Sequence, residues 1–192
     1  MPLITLPLDP AGHPPGATNF RWDDAWGTAH ASRLATNRKE AEAVIVASNS
    51  AILVQFRLLQ QVRDLCSAHF GARFGGLKVT SFYRGVTLNK AVGGQVNSQH
   101  CLGEASDVHP IGVPPKEVYA FLVACARAGK LRFGQLLYEE GGKAAETTDD
   151  WIHISTGWDG SAHRRPQKKC GQVGRKLMGG EPHVEEIILA AA

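Results

Sequence analysis

The stretch SQHCLGEASD at residues 98–107 contains two metal-ligating residue types separated mainly by small residues. His100 and Asp107 offer an imidazole nitrogen and a carboxylate, and the small residues let the backbone pack closely behind them. A third candidate ligand, His153, lies downstream in DDWIHIS at residues 149–155. Two histidines and a carboxylate, with one position left for water, are a recurrent ligand set of catalytic zinc. The sequence therefore predicts a zinc hydrolase site.

The composition is that of an ordinary globular protein. The chain has 192 residues, of which 43% are hydrophobic and 20% charged, and its net charge is +3. This length suits one domain with a real core and leaves room for additional arms. So small a net charge gives no reason to expect a nucleic-acid partner.

The two ends differ from the centre. Residues 1–19 contain five prolines and predict an extended arm, which the aromatic residues Phe20, Trp22 and Trp26 should anchor to the core. We expect the main domain, which contains the candidate zinc site, at 20–158 and a basic, Gly-rich extension at 159–192, whose end could dock as a short helix or strand. The first residues show no signal-peptide pattern, and no stretch reaches the roughly 18 to 20 apolar residues of a membrane span. A protein made in the cytoplasm, without a membrane span, is the expectation.

The four cysteines have no C-x2-C spacing and predict reduced thiols. Cys66 and Cys125 fall on apolar faces of predicted helices, where a small buried thiol is common. Cys101 follows His100, so a thiolate ligand is conceivable there. A residue next to a ligand on an extended segment, however, usually points elsewhere.

Periodicity predicts an α+β domain with a small, mainly antiparallel sheet flanked by helices. Apolar residues recur every three or four positions in the longest predicted helix, with Gln55 off the apolar stripe. The two last strands, joined by a polar loop, should be antiparallel neighbours. The predicted helices span residues 36–47, 51–70, 86–91 and 114–128, and the predicted strands span 77–83, 104–108, 133–140 and 150–156.

Several stretches together resemble a known family. They are SFYR at 81–84, LNKAVGG at 88–94, NSQHCLGEASD at 97–107, QLLYE at 135–139 and WIHIS at 151–155. In order and spacing they resemble the zinc D-Ala-D-Ala carboxypeptidase family, which includes L-alanyl-D-glutamate endopeptidases of the phage endolysin type. The resemblance implies a hedgehog/DD-peptidase-like fold and extends over about residues 20–158.

Carried over residue by residue, the family's zinc ligands become His100, Asp107 and His153. The family also uses an arginine in its S-x-Y-R motif, here Arg84, which can stabilise an oxyanion or hold a substrate carboxylate. The rival ligand His109 has no counterpart in the family pattern. We expect it to support the site or to lie at the surface.

The general base has two candidates. Many family members use the Glu of an E-x-x-H motif, and the matching residue here is Asp150, which is one methylene shorter. Glu139 matches the Glu of the family's Q-L-x-x-E pattern, and its longer side chain can reach across a strand pair, so we favour it. Asp149 and Glu140 are weaker candidates.

Two serines are candidate substrate-binding residues. Ser98 lies in the opening stretch, and Ser155 is expected on the same strand face as His153. Either hydroxyl could hydrogen-bond substrate or orient a ligand, and either could equally well have a structural role.

The resemblance implies zinc-dependent hydrolysis of a peptide bond in peptidoglycan stem peptides. Such an enzyme would reach the cell wall after phage lysis or as a virion component, with phage virion or structural proteins as possible partners. A cytoplasmic dipeptidase acting on recycled wall peptides is a second enzymatic option. The non-enzymatic alternative is a zinc-bearing wall-binding or phage structural module of the same fold.

Overall fold

The fold consists of five α-helices, three 3₁₀ turns and six strands within the described part of the chain. A computed structural model describes residues 6–7, 11–47, 51–141, 150–156, 169–177 and 183–188. The helices are α1 (Trp22–Trp26), α2 (Leu34–Ala47), α3 (Ala51–Phe70), α4 (Val86–Ala91) and α5 (Pro115–Arg127), and the 3₁₀ turns are Ala31–Arg33, Gly71–Arg73 and Gln99–Leu102. The strands are β1 (Gly76–Ser81), β2 (Ala105–Ile111), β3 (Gln135–Glu140), β4 (Trp151–Ser155), β5 (Lys169–Leu177) and β6 (His183–Ile188).

The six strands form one sheet in the order β1-β2-β4-β3-β5-β6. All neighbours are antiparallel except β3 and β5, which run parallel. The predicted α+β class with a mainly antiparallel sheet is therefore confirmed, as is the antiparallel pairing of β3 with β4. The chain beyond residue 158 supplies β5 and β6, so this region extends the same sheet.

The register of the central strands aligns the candidate ligands. Asp107 on β2 lies directly opposite His153 on β4, and His153 lies opposite Leu137 on β3. Directly opposed residues of an antiparallel pair point to the same face, so Asp107 and His153 project together. The sheet thus brings together two residues 46 positions apart in the chain.

Phe56 on α3 is the centre of an aromatic cluster between the helices and the sheet. It is fully buried, with ring centroids 5.5 Å from Trp22 and 4.9 Å from Phe82. The Trp22 Nε1–H donates to the Pro7 carbonyl at 3.0 Å. Trp22 therefore anchors the described part of the N-terminal arm, in the way the sequence predicts for this aromatic group.

Gln55, predicted off the buried stripe of α3, is in fact fully buried. Its Nε2 donates to the Ile154 carbonyl at 2.8 Å, and its Oε1 accepts from the Thr156 backbone N–H at 3.0 Å. These hydrogen bonds satisfy the amide without solvent, which is the condition for burying a polar side chain. Gln55 thus fastens α3 to the end of β4.

Several element boundaries differ from the sequence prediction. The chain forms α1, which was not predicted; α2 begins at Leu34 rather than near residue 36, and β2 continues to Ile111. β1 ends at Ser81 because the backbone N–H of Tyr83 donates to Ala25 and that of Arg84 donates to His100. Tertiary contacts therefore draw the end of the predicted strand away from the sheet and towards the ligands.

The cysteines agree with the prediction of free, buried thiols where the structure describes them. Cys66 and Cys125 are buried, Cys101 is half-buried, and all three are free. Burial raises the pKa of Cys66 to about 12. Among the described residues, no helix is long and apolar enough to cross a bilayer.

Gly103 allows the candidate ligand segment to approach α3. It has a left-handed φ of 71°, and a Cβ there would lie 2.5 Å from Ile52 Cγ1. We expect Gly103→Ala to lower the free energy of unfolding by about 2 to 5 kcal/mol, from backbone strain and overpacking. Denaturant titration of the metal-free protein measures the loss.

Gly93→Ala is the matched control, because Gly93 has a φ of 70° and no atom within 4 Å of the added Cβ. In this variant the free energy of unfolding should fall only by the backbone strain of alanine at a left-handed φ, about 1 to 2 kcal/mol. If the free energy of unfolding fell equally in the two variants, Ile52 would be able to move aside at no cost, and close packing at Gly103 would be unimportant.

Candidate metal centre

His100, Asp107 and His153 converge at one point of the described structure. His100 lies on the 3₁₀ turn Gln99–Leu102, Asp107 on β2 and His153 on β4. One ligand atom from each lies within 4.8 Å of the others, and no other group of three such residues meets this criterion in the described ranges. The three predicted ligands are therefore close enough to bind one ion.

The backbone fixes the orientation of His100. Its Nδ1 lies 2.6 Å from the Phe82 carbonyl, and its Nε2 lies 3.3 Å from Asp107 Oδ1. A carbonyl only accepts hydrogen bonds, so the proton of a neutral imidazole lies on Nδ1. The lone pair on Nε2 then faces Asp107.

His153 presents its other nitrogen to the same carboxylate. Its Nδ1 lies 2.9 Å from Asp107 Oδ1, and its Nε2 lies 3.1 Å from Gln99 Oε1. The contact with Gln99 was not predicted from the sequence. The only signal would have been its place directly before His100, which says nothing about a residue 54 positions away.

Burial and the neighbouring charges act in opposite directions on the protonation of the cluster. Burial lowers the pKa of His100, against the opposing effect of Asp107. Burial would raise the pKa of Asp107, but the two histidines beside its carboxylate outweigh burial and hold that pKa well below its ordinary value. Asp107 is therefore an ionised carboxylate facing two imidazole nitrogens.

This arrangement of donors and acceptors fits a divalent cation. Each imidazole lies between two acceptor oxygens, His100 between Phe82 and Asp107, and His153 between Gln99 and Asp107. A neutral imidazole has one N–H and can satisfy only one of its two oxygens. A cation among the three side chains would satisfy both remaining lone pairs and the carboxylate charge together. Two histidines and one carboxylate are a ligand set that zinc accepts.

Arg84 and Ser98 lie beside His100. The Arg84 Nη2 lies 3.4 Å from Ser98 Oγ, and the guanidinium charge adds to burial in lowering the pKa of His100. The Arg84 Nε is buried and has no hydrogen-bond partner among the described residues. A guanidinium with a free donor next to the cluster can bind a carboxylate or a developing oxyanion.

Glu139 lies on the same sheet face as His153. It is buried on β3 opposite Trp151, two residues along β4 from His153. Diagonal neighbours on one face of a sheet are about 7 to 8 Å apart, which is within reach of a long side chain. The register thus puts Glu139 on the face that carries the cluster, at a diagonal position from His153.

Asp150 is oriented differently. Its carboxylate accepts hydrogen bonds from the Tyr138 hydroxyl and, at 3.0 Å, from the Gly141 backbone N–H. Tyr138 pairs with Ile152, on the face opposite to His153. The Asp150 side chain therefore closes the end of the β3–β4 pair instead of facing the cluster.

The remaining candidates contact other parts of the fold. Ser155 is fully buried, and its Oγ accepts from the Gln135 backbone N–H at 3.0 Å, so its contact with substrate stays a prediction. His109 donates from Nδ1 to the Asp150 carbonyl at 3.1 Å, so a role in supporting the site stays a prediction. Burial raises the pKa of Cys101, which disfavours a thiolate ligand. Asp149 lies outside the described residues.

Comparison with known proteins assigns the chain to a family. A comparison with curated protein sequences gives no match. Residues 29–155, well over half of the chain, match the Peptidase M15 family, and this range contains all three clustered ligands. The chain therefore belongs to the Peptidase M15 family of metallopeptidases.

Proposed function

We propose that this protein is a zinc-dependent peptidase that hydrolyses a peptide bond in peptidoglycan stem peptides, of the D-Ala-D-Ala or L-Ala-D-Glu type. The observation that carries the proposal is the convergence of His100, Asp107 and His153 in a chain of the Peptidase M15 family. The peptidoglycan substrate is supported by the ordered set of motifs that resembles the D-Ala-D-Ala carboxypeptidase family.

The zinc ligands would be His100 Nε2, a carboxylate oxygen of Asp107, and His153 Nδ1. When bound, zinc lowers the pKa of water towards neutrality and polarises a carbonyl. The protein must then supply a proton acceptor, a group that positions the substrate, and surrounding residues that limit the access of bulk water.

Arg84 is the proposed substrate-positioning group. Its guanidinium lies beside His100, and its Nε donor has no partner among the described residues. Stem peptides carry carboxylates, which a guanidinium binds with paired hydrogen bonds. Ser98, in contact with Arg84 Nη2, would hold the guanidinium in place or donate its hydroxyl to the substrate.

Glu139 is the proposed general base. A carboxylate oxygen of Glu139 would accept a proton from the attacking water and pass it to the nitrogen of the leaving amine. Its burial and its position on the His153 face support this role. Asp150 is the alternative, but the Tyr138 hydroxyl and the Gly141 N–H hold its carboxylate at the end of the strand pair, on the face opposite to His153.

The domain limits and the setting are also proposals. Residues 20–158 would form the catalytic domain, with residues 1–19 as an arm wrapped on it and 159–192 as an extension that adds strands to its sheet. The resemblance to phage endolysin-type enzymes supports action on the cell wall after phage lysis or as a virion component.

The test is to assay the purified protein for both zinc and cleavage. We expect about one zinc ion per chain, and release of D-Ala or of shortened peptides from cell-wall material and synthetic stem peptides, detected by mass spectrometry. Zinc without cleavage of either bond type would favour the non-catalytic wall-binding or structural module. Absence of zinc would contradict the proposal outright.

A further inference from the structure

We propose that Gln99 is a positioning residue that sets which nitrogen of His153 faces the metal. The observation is the 3.1 Å contact between Gln99 Oε1 and His153 Nε2, on the side of the ring opposite to Asp107. The inference deepens the proposed function and rests on it, because it concerns the geometry of the same zinc site.

The backbone around Gln99 is fixed at both ends. Ser98 precedes the 3₁₀ turn Gln99–Leu102 in an extended conformation, and Gly103 ends the turn in the left-handed region. The Glu104 backbone N–H donates to the Gln99 carbonyl at 3.0 Å, immediately before β2 begins. The half-buried Gln99 side chain is thereby held against the ring of His153, and a single turn controls both histidines.

Without Gln99, His153 would favour the wrong tautomer. Asp107 Oδ1, at 2.9 Å from Nδ1, is a charged acceptor and would attract the single proton of a neutral imidazole to Nδ1. A proton there occupies the lone pair that a metal needs. The Gln99 amide oxygen accepts a proton on Nε2, so it stabilises the tautomer with a bare Nδ1.

The two histidines differ in how their tautomers are set. His100 relies on the Phe82 carbonyl, a backbone group that side-chain substitution does not remove. His153 relies on a side chain. A substitution of Gln99 can therefore change the tautomer of His153 while all three metal ligands stay unaltered.

The experiment compares zinc affinity in three variants by competition with a chelator. Gln99→Leu removes the acceptor at similar size, Gln99→Glu keeps an acceptor oxygen, and Gln95→Leu makes the same change at an exposed position of the preceding loop. We expect Gln99→Leu to bind zinc about 10- to 100-fold more weakly. Gln99→Glu and Gln95→Leu should bind zinc as the unaltered protein does.

Imidazole ¹⁵N NMR of the metal-free proteins reports the tautomer of His153 directly. That tautomer should not change if the Gln99 side chain only fills space. His153 should shift towards the Nδ1–H tautomer in Gln99→Leu and keep its tautomer in Gln95→Leu. Unchanged zinc affinity in Gln99→Leu would overturn the inference, and so would equal weakening in Gln99→Leu and Gln99→Glu.

Failure of the inference and failure of the proposed function are distinguishable. If the unaltered protein binds zinc but cleaves nothing, the proposed peptidase activity is wrong, and the affinities of the variants still decide the role of Gln99. If the unaltered protein binds no zinc, both are wrong. If it binds zinc and cleaves, but Gln99→Leu does the same equally well, only the positioning role fails.

Discussion

Glu139→Gln is expected to lower kcat/KM for a stem-peptide substrate by about 10²- to 10⁴-fold, the range that removal of a general base produces. The amide has nearly the same size and retains an acceptor oxygen, but it cannot take a proton from water. Because Glu139 is on the His153 face without belonging to the three-residue cluster, zinc content should stay unchanged. Initial rates and zinc content, measured on the same preparation, check both expectations.

Asp150→Asn is the matched change at the alternative base. The substitution should lower the free energy of unfolding and leave catalysis intact, because one carboxylate oxygen that accepts from Tyr138 or Gly141 becomes an amide nitrogen. Leaving such a donor unpaired costs about 1 to 3 kcal/mol. Turnover below the melting temperature should remain. Full activity in Glu139→Gln together with loss in Asp150→Asn would assign the base to Asp150 and contradict our preference.

The spacing of apolar residues along the chain was enough to predict the helices that depend mainly on residues near in sequence. The apolar positions of α3 recur at helical spacing, and the observed helix has the predicted limits, as does α4. Alternation also predicted that β3 and β4 are strands and their short connection predicted that they pair, whereas the register of β2 against β4 appears only in the structure. Gln55 shows the limit of this reasoning, since its burial depends on carbonyl and amide groups of β4 about 100 positions away.

The orientation of the candidate acids and of Gln99 could not be read from spacing. Asp150 matches the family motif position, yet its carboxylate bonds to the Tyr138 hydroxyl and the Gly141 backbone N–H, on the side of the strand pair away from His153. The contact of Gln99 with His153 requires both the turn and the sheet register. The parallel pairing of β5 with β3 likewise depends on a contact between distant segments, which periodicity does not encode.

Asp107→Asn is expected to abolish stoichiometric zinc binding and, with it, peptidase activity. The substitution keeps the size of the side chain and removes the charge that the two imidazole nitrogens face at 2.9 and 3.3 Å. A neutral amide is a much poorer zinc ligand than a carboxylate, so the affinity should fall by more than the roughly 100-fold that loss of an orienting residue costs. Zinc per chain after dialysis, measured by mass spectrometry, checks this.

His109→Asn is the control that separates a ligand from a neighbour on the same strand, since His109 contacts the Asp150 carbonyl and is outside the cluster. It should keep its zinc. Ligand binding stabilises a folded protein by about 2.7 kcal/mol when free ligand is 100-fold above Kd, so added zinc should raise the melting temperature of His109→Asn and leave that of Asp107→Asn unchanged. The reverse pattern would mean that His109 is the ligand and that the ion lies one residue pair further along β2 than we propose.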